Sequence, residues 1–196
     1  MIGCHCHTDR GSNIRLLDTT NTVKDLLQTA IDQGYKGLAI TDHEALCSHL
    51  EAITTVKEMK SKGKMPEDFK LILGNEAYLV DSLEEVKDNY KGGITKFPHF
   101  LILSKDAEGH EQLRYLSSKA WENSFYTGIM ERVPTVKEDV EKVVKSNPGH
   151  LIATTACLGS ESSIHLLAIR EAESNGDTEK QKYHSCLLYT SPSPRD

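Results

Sequence analysis

His5, His7, Asp18, His43, Glu76, His99 and Cys157 can each ligate a divalent metal, and each falls at or just after the end of an apolar, strand-like run. Imidazole, carboxylate and thiolate together make the donor set of a transition-metal site. Residues at successive strand ends of a β/α protein converge on one mouth of the sheet, which is how barrel-type hydrolases assemble a polynuclear metal centre. The reagent of such a site is a metal-activated water.

Taken singly, every one of these residues has an ordinary structural explanation. His5 and His7 are two apart, so on a strand both point to one face in chelating geometry, while Cys6 points the other way into the core. Thr41-Asp42-His43 closes a buried apolar run, where a polar triplet is costly unless it is used. His43 then reads as a ligand, and Asp42 as a ligand or as a group that orients an imidazole from behind. The alternative there is a helix N-cap by Asp42. Gly74 allows a close backbone approach beside Glu76, His99 follows Pro98, and Asp18 follows Leu16-Leu17. Cys157 sits in Thr154-Thr155-Ala156-Cys157-Leu158-Gly159, where a lone cysteine is usually an inert small hydrophobe. As an ordered series, however, the strand-end placements exceed coincidence. His49, His110, His150, His165 and His184 fit no strand end and read as solvated or structural. Cys4 and Cys47 read as core and Trp121 as a packing anchor. Helix-end placement explains Lys57, Lys60, Lys62 and Lys64 without nucleic acid.

The elements that position these groups alternate in type. Met1 to His7 reads as a strand. Thr22 caps a helix with Asp25 three residues on, Val23, Leu26, Leu27, Ala30 and Ile31 form its apolar stripe, and Gly34 stops it. Gly37 to Thr41 is a buried strand, and Leu46, Leu50, Ile53 and Val56 mark a second helix. Phe69 to Val80 is a third strand region, broken at Gly74-Asn75-Glu76, and Asp81 to Lys96 is a polar surface excursion. Phe100 to Leu103 is a fourth strand. Helices over 108–120 and around Val136 to Val144 follow, the second stopped by Asn147-Pro148-Gly149. Leu151 to Thr154 is a fifth strand, and a last helix starts near Ser160 and frays around Asn175-Gly176-Asp177. Five such alternations imply an α/β fold of parallel β/α units that falls short of a closed eight-stranded barrel.

At 196 residues the chain is long enough for one domain with a real core. A net charge of −6 gives no electrostatic footprint for nucleic acid, although clustered metal ions reverse the charge that a phosphate meets locally. No apolar run is long enough to span a membrane, the N-terminus lacks a signal-peptide pattern, and five irregularly spaced cysteines point to a reducing, cytoplasmic setting. The polar, proline-containing stretch from Cys186 to Asp196 reads as a sequencing or frameshift tail, leaving residues 1–185 as the domain.

With those residues placed, the chain resembles the PHP (polymerase and histidinol phosphatase) domain, and most of all the N-terminal PHP domain of bacterial C-family replicative polymerases, the DNA polymerase III alpha subunits. The resemblance is carried by Cys4-His5-Cys6-His7-Thr8, Ser12 to Asp18, Leu38 to Leu46 around Thr41-Asp42-His43, Leu73-Gly74-Asn75-Glu76-Ala77-Tyr78, His99 to Lys105 with Gly109, and Ile152 to Glu161. It implies a distorted (β/α)7 barrel, here incomplete, whose mouth holds two or three divalent ions on nine residues. His5, His7, Asp18, His43, Glu76, His99 and Cys157 match seven of those nine. The remaining pair, an Asp-x-His, occurs nowhere in this chain, and truncation accounts for its absence.

The donor mix favours Zn²⁺ or Mn²⁺, with Fe²⁺ as a further option, over Mg²⁺. The resemblance implies phosphoester hydrolysis in a DNA polymerase acting in replication, as a 3′–5′ proofreading exonuclease. Primer-template DNA and replisome subunits such as the sliding clamp would be reached through domains absent from this chain. Two alternatives stand beside it: a stand-alone phosphoesterase of the histidinol-phosphatase type, and a metal-stabilised scaffold that docks a separate proofreading subunit. No residue is singled out for nucleic-acid contact.

Overall fold

The computed structural model describes residues 1–11, 19–91 and 97–190. Asp18 lies outside the described residues. The strands are β1 (Ile2–Gly3), β2 (Gly37–Ile40), β3 (Lys70–Val80), β4 (His99–Ser104), β5 (Phe125–Thr127), β6 (Met130–Arg132), β7 (Pro134–Val136) and β8 (Leu151–Thr155). The helices are α1 (Val23–Asp32), α2 (His49–Ser61), α3 (Leu83–Lys91), α4 (Ala107–Glu122), α5 (Lys137–Ser146), α6 (Glu161–Ser174) and α7 (Thr178–Thr190).

The α1 helix forms as its sequence dictates. The Thr22 hydroxyl accepts the Asp25 N–H, Val23, Leu27 and Ala30 are buried one turn apart, and Gly34 follows at φ +73°. Its buried stripe packs with Ala52, Val56 and Met59 of α2 against Leu38 and Ile40 of β2. Leu113 and Leu116 of α4 and Val143 of α5 cover Ala77 of β3 and Ile102 of β4. Truncating Leu113, which is fully buried, to alanine would cost about 2–5 kcal/mol. Lys60 of the basic run donates to the carbonyls of Glu67 and Phe69, a structural use.

The strands form one six-stranded sheet in the order β1-β2-β3-β4-β8, with β7 added alongside β3, and the sheet curls into an incomplete barrel. β1, β2 and β3 run parallel, as does β7 with β3. The expectation of parallel units fails at β4, which is antiparallel to both β3 and β8. The helix between β3 and β4 is not a crossover. The chain leaves β3 past Tyr78, makes the α3 excursion, and returns at His99 opposite the same Tyr78.

The expected break in β3 is a change of partner. Leu73 pairs with Ile40 of β2, and Gly74 pairs with Leu103 of β4. A Cβ on Gly74 would lie 2.5 Å from Leu103 Cδ2 and 2.8 Å from the Ile102 carbonyl, so the switch needs a glycine. By strand alternation Gly74, Glu76 and Tyr78 share one face, joined across the ladder by Leu103, Leu101 and His99. Leu101 and Leu103 pack with Ala39 into a small cluster on that face, the floor beneath the site.

Several features were not foreseen. The polar excursion contains α3, and the β5–β6 hairpin and β7 occupy a stretch with no strong periodicity. The fraying expected near Asn175 is a turn into α7, which carries the helix through Thr190, past residue 185. Cys4 and Cys47 are exposed, not core. β1 ends at Gly3, which leaves Cys4 outside the ladder, and Cys47 lies in the turn before α2. Trp121 is 39% exposed and makes its attachment through its indole N–H. No helix among the described residues is long and apolar enough to cross a membrane.

Candidate metal centre

Glu76 is the middle of the site. It sits on β3, flanked by Asn75 and Ala77 on the opposite face, and has no solvent exposure. Four imidazoles surround its carboxylate. His43 Nδ1 lies 3.0 Å and His7 Nε2 3.1 Å from Oε2. His99 Nδ1 lies 2.9 Å and His5 Nε2 3.7 Å from Oε1. These atoms form two triads, His5-His7-Glu76 and His43-His99-Glu76, each with its three donor atoms within 4.8 Å of one another.

Each histidine reaches the carboxylate by a different route. β1 ends before His5 and His7, so the strand that the sequence suggested does not carry them. Instead the segment is stitched to the end of β2. The Cys6 N–H donates to Thr41 Oγ1, the Thr41 N–H donates to the Cys6 carbonyl, and His5 Nδ1 lies 2.8 Å from Thr41 Oγ1. Asp42, fully buried, accepts from the Thr8 N–H at 2.6 Å, the Thr8 hydroxyl at 2.8 Å and the Ser48 hydroxyl at 2.5 Å. It thus fixes the residue next to His7 and the residue that opens α2. In these bonds Asp42 anchors the segment that carries His7. His43 is placed by a bridge between the 42–44 segment and Glu76. His99 is the first residue of β4.

Cys157 lies just beyond β8, with Sγ 3.2 Å from His99 Nδ1. Gly159 makes this approach possible, since a Cβ there would come within 2.9 Å of the His99 ring. Four of the expected positions, His5, His7, His43 and His99, therefore meet around a fifth, Glu76, with Cys157 beside His99, and Asp18 is outside the described residues. Cys6 is correctly a structural thiol. Its Sγ donates to the Ala39 carbonyl at 2.8 Å, and burial, reinforced by the Asp42 charge, pushes its pKa up to about 12.

The electrostatics are those of a buried anion in a basic cage. Burial alone would raise the Glu76 pKa, but contact with His7, His99, His43 and His5 outweighs it and holds the carboxyl well below the usual range. Burial lowers the His5 pKa, and His7 and His99 lower it further against the opposing pull of Glu76. Neutral imidazole is the ligating form. Side-chain exposure of 29% at His5, 22% at His7 and 23% at His99, against 9% at His43, opens the cluster to solvent along that flank.

A buried carboxylate shared by two imidazole pairs suits divalent transition ions, so the residues present fit a metal centre. Sequence reasoning missed the groups that support it. Thr8, Thr41, Ser48 and Tyr78 are not the usual ligands of such ions, the Glu44 carboxylate is engaged by Tyr78, Thr135 and Asn75, and only the cost of burying Thr41-Asp42-His43 hinted at them. The other histidines pair elsewhere: His49 with His110, His150 with Asp106, and His165 with His184.

Comparison with known proteins agrees with this geometry. The profile of the PHP domain matches residues 3–189. The chain belongs to the PHP domain family. This PHP domain is 71% identical over 189 residues to the DNA-directed DNA polymerase of Bacillus phage SPbeta, and to the same extent to the Bacillus subtilis protein named "Probable DNA polymerase YorL". Each alignment covers 96% of this chain and 14% of the relative. It is 31% identical to the DNA polymerase III subunit alpha of Helicobacter pylori, over 83% of this chain and 11% of that protein. The PHP domain thus spans about 14% of the length of these two Bacillus-related polymerases.

Proposed function

We propose that this PHP domain is a two-metal phosphoesterase working within a replicative-type DNA polymerase, and that it removes misincorporated nucleotides as a 3′–5′ exonuclease. The observation that carries the reading is the sharing of Glu76 between two imidazole triads. One carboxylate oxygen faces His7 and His43, and the other faces His5 and His99. Each triad thus draws on both oxygens, and Glu76 is the one residue common to the two, so its carboxylate would serve both of two divalent ions. His5 and His7 would hold one ion and His43 and His99 the other, with Cys157 beside His99. Asp18 completes the proposed set. Ions bound there would supply an activated water and the positive charge that stabilises in-line displacement at phosphorus.

The chain's own residues do the rest. Burial of Glu76 and His43 keeps the donors fixed and dry, so little reorganisation is needed when charge develops. Asp42 holds the His5–His7 segment against β2. The solvent-facing flank at His5, His7 and His99 is where a phosphate diester would enter. The polymerase relatives support DNA as the substrate and the cytoplasm as the setting, with primer-template and replisome contacts made by the longer protein.

The test is metal content by elemental analysis together with hydrolysis of a 3′-mismatched primer-template and of a small phosphate monoester, each with Zn²⁺ and Mn²⁺. Release of mismatched 3′ nucleotides, abolished in Glu76→Ala, is the expected result. Monoester hydrolysis without nuclease action would turn the reading to a stand-alone type of phosphoesterase. Bound metal without hydrolysis of either would leave a scaffold.

A further inference from the structure

Glu44 is a second fully buried carboxylate, one residue from His43, and it takes no part in the triads. Its backbone is at φ +46°, a conformation that L side chains rarely adopt and the only such non-glycine residue among those described. Such a conformation persists only where the surroundings over-determine it. Here they do. The Glu44 N–H donates to the Glu76 carbonyl, and the Glu76 N–H donates to the Asp42 carbonyl, so the bend at 42–44 is bonded to Glu76 on both sides.

The side chain extends the same hold. Oε1 accepts the Tyr78 N–H at 2.7 Å and the Thr135 hydroxyl at 2.8 Å, while Oε2 accepts the Asn75 amide at 3.2 Å. The Glu44 carbonyl accepts the Trp121 indole N–H at 2.9 Å. Glu44 therefore ties β3 on either side of Glu76 to β7 and α4. Tyr78 passes this on to the ligands. Its ring stacks on His43, with centroids 5.5 Å apart and planes 7° from parallel, and meets His99 edge-on at 5.1 Å.

We propose that Glu44 is a positioning residue of the metal centre: its bend and its buried carboxylate set the placement of Glu76 and, through Tyr78, of the His43 and His99 rings. The inference rests on the metal-centre reading above. Residues behind metal ligands change affinity by about 10–100-fold when they are removed.

The experiment is Co²⁺ titration of the purified chain, followed by visible absorption, for wild type, Glu44→Gly and Glu44→Gln, with thermal melting of each metal-free protein. Glycine accepts the positive φ, so Glu44→Gly removes the carboxylate without backbone strain. The expected result is a cooperative melt in Glu44→Gly with Co²⁺ affinity down about tenfold or more and an altered spectrum, and substantial recovery in Glu44→Gln. A folded Glu44→Gly with wild-type affinity and spectrum would overturn the proposal. If Glu44→Gly does not fold, Thr135→Val takes its place, removing one donor to the same oxygen. Weakening of about threefold or more supports the role, and unchanged affinity overturns it. If wild type itself binds no Co²⁺, the metal-centre reading fails, and Glu44 is judged by NMR on the metal-free protein. Loss of the Tyr78–His43 ring contact in Glu44→Gly supports it, and its persistence overturns it.

Discussion

His7 and His43 stack face to face, ring centroids 4.4 Å apart and planes 13° from parallel, and both aim a nitrogen at the same oxygen of Glu76. The two residues come from segments far apart in sequence, His7 after β1 and His43 after β2. The stack gathers one imidazole from each triad against a single carboxylate oxygen. In its neutral form an imidazole carries one lone pair that a metal can take.

The sharing of Glu76 predicts unequal consequences for single substitutions. Removing the carboxylate takes a donor from both triads, whereas His7→Ala takes one from the His5 triad alone. Glu76→Ala is expected to retain almost no metal after desalting, and His7→Ala about half of the wild-type content, in line with one metal position per triad. Elemental analysis reads both, and equal losses in the two variants would refute the bridging role.

Gly159 gives a test that touches no ligand. The Cβ of an alanine there would press on the His99 ring from 2.9 Å, next to Cys157. Gly159 does not have a positive φ, so alanine brings no backbone strain of its own. Gly159→Ala is expected to leave the melting temperature close to wild type and to weaken metal binding by about tenfold, the range seen when ligand orientation is disturbed. Wild-type affinity in this variant would show that His99 does not need its present place.

The approach of His43 to Glu76 was readable because an apolar run stops at polar residues at Ile40-Thr41-Asp42-His43, whereas Glu76 lies inside β3 and His99 begins β4. The α1 helix was readable through its cap and stripe, which are equally local. Strand direction was not readable, because β4 pairs with β3 through contacts far apart in sequence, and a helix between two strands looks the same for either direction. The β5–β6 hairpin was too short to show a period. His5 and His7 converge although the strand expected to carry them ends at Gly3. Their position is set by Thr41 and Asp42, partners that no local pattern reveals. Glu44 was invisible for a similar reason: a carboxylate beside a ligand reads as solvated until its burial is known.

Bound metal is expected to stabilise the fold, since it binds a site that only the folded chain assembles. At free metal near 100 times the dissociation constant, linkage adds about 2.7 kcal/mol. A chelator should therefore lower the melting temperature of the metal-loaded domain by several degrees and leave Glu76→Ala unmoved. Differential scanning calorimetry at two metal concentrations checks it, and a melting temperature indifferent to metal would count against a folded-state site.

His49 predicts a pH dependence separate from the ligands. It is 2% exposed, with Nε2 3.0 Å from the Gly74 carbonyl and Nδ1 3.1 Å from His110 Nε2. Burial, helped by His110, lowers its pKa to about 4 against the opposing pull of the Gly74 carbonyl and Asp42. The unfolded chain holds this imidazole near 6.5 and so binds the extra proton first as pH falls. Between pH 6.5 and 4 the unfolded state gains protons that the folded state does not. Stability from this group is thus fully present above pH 6.5 and is lost on acidification through that window, by on the order of 3 kcal/mol. Glutamine at this position keeps a donor for the Gly74 carbonyl and does not titrate. Urea melts of metal-free wild type and His49→Gln at pH 7.5 and pH 4.5 should give a smaller acid loss in the variant. Equal losses would mean that His49 protonates in the folded chain as readily as in the unfolded one.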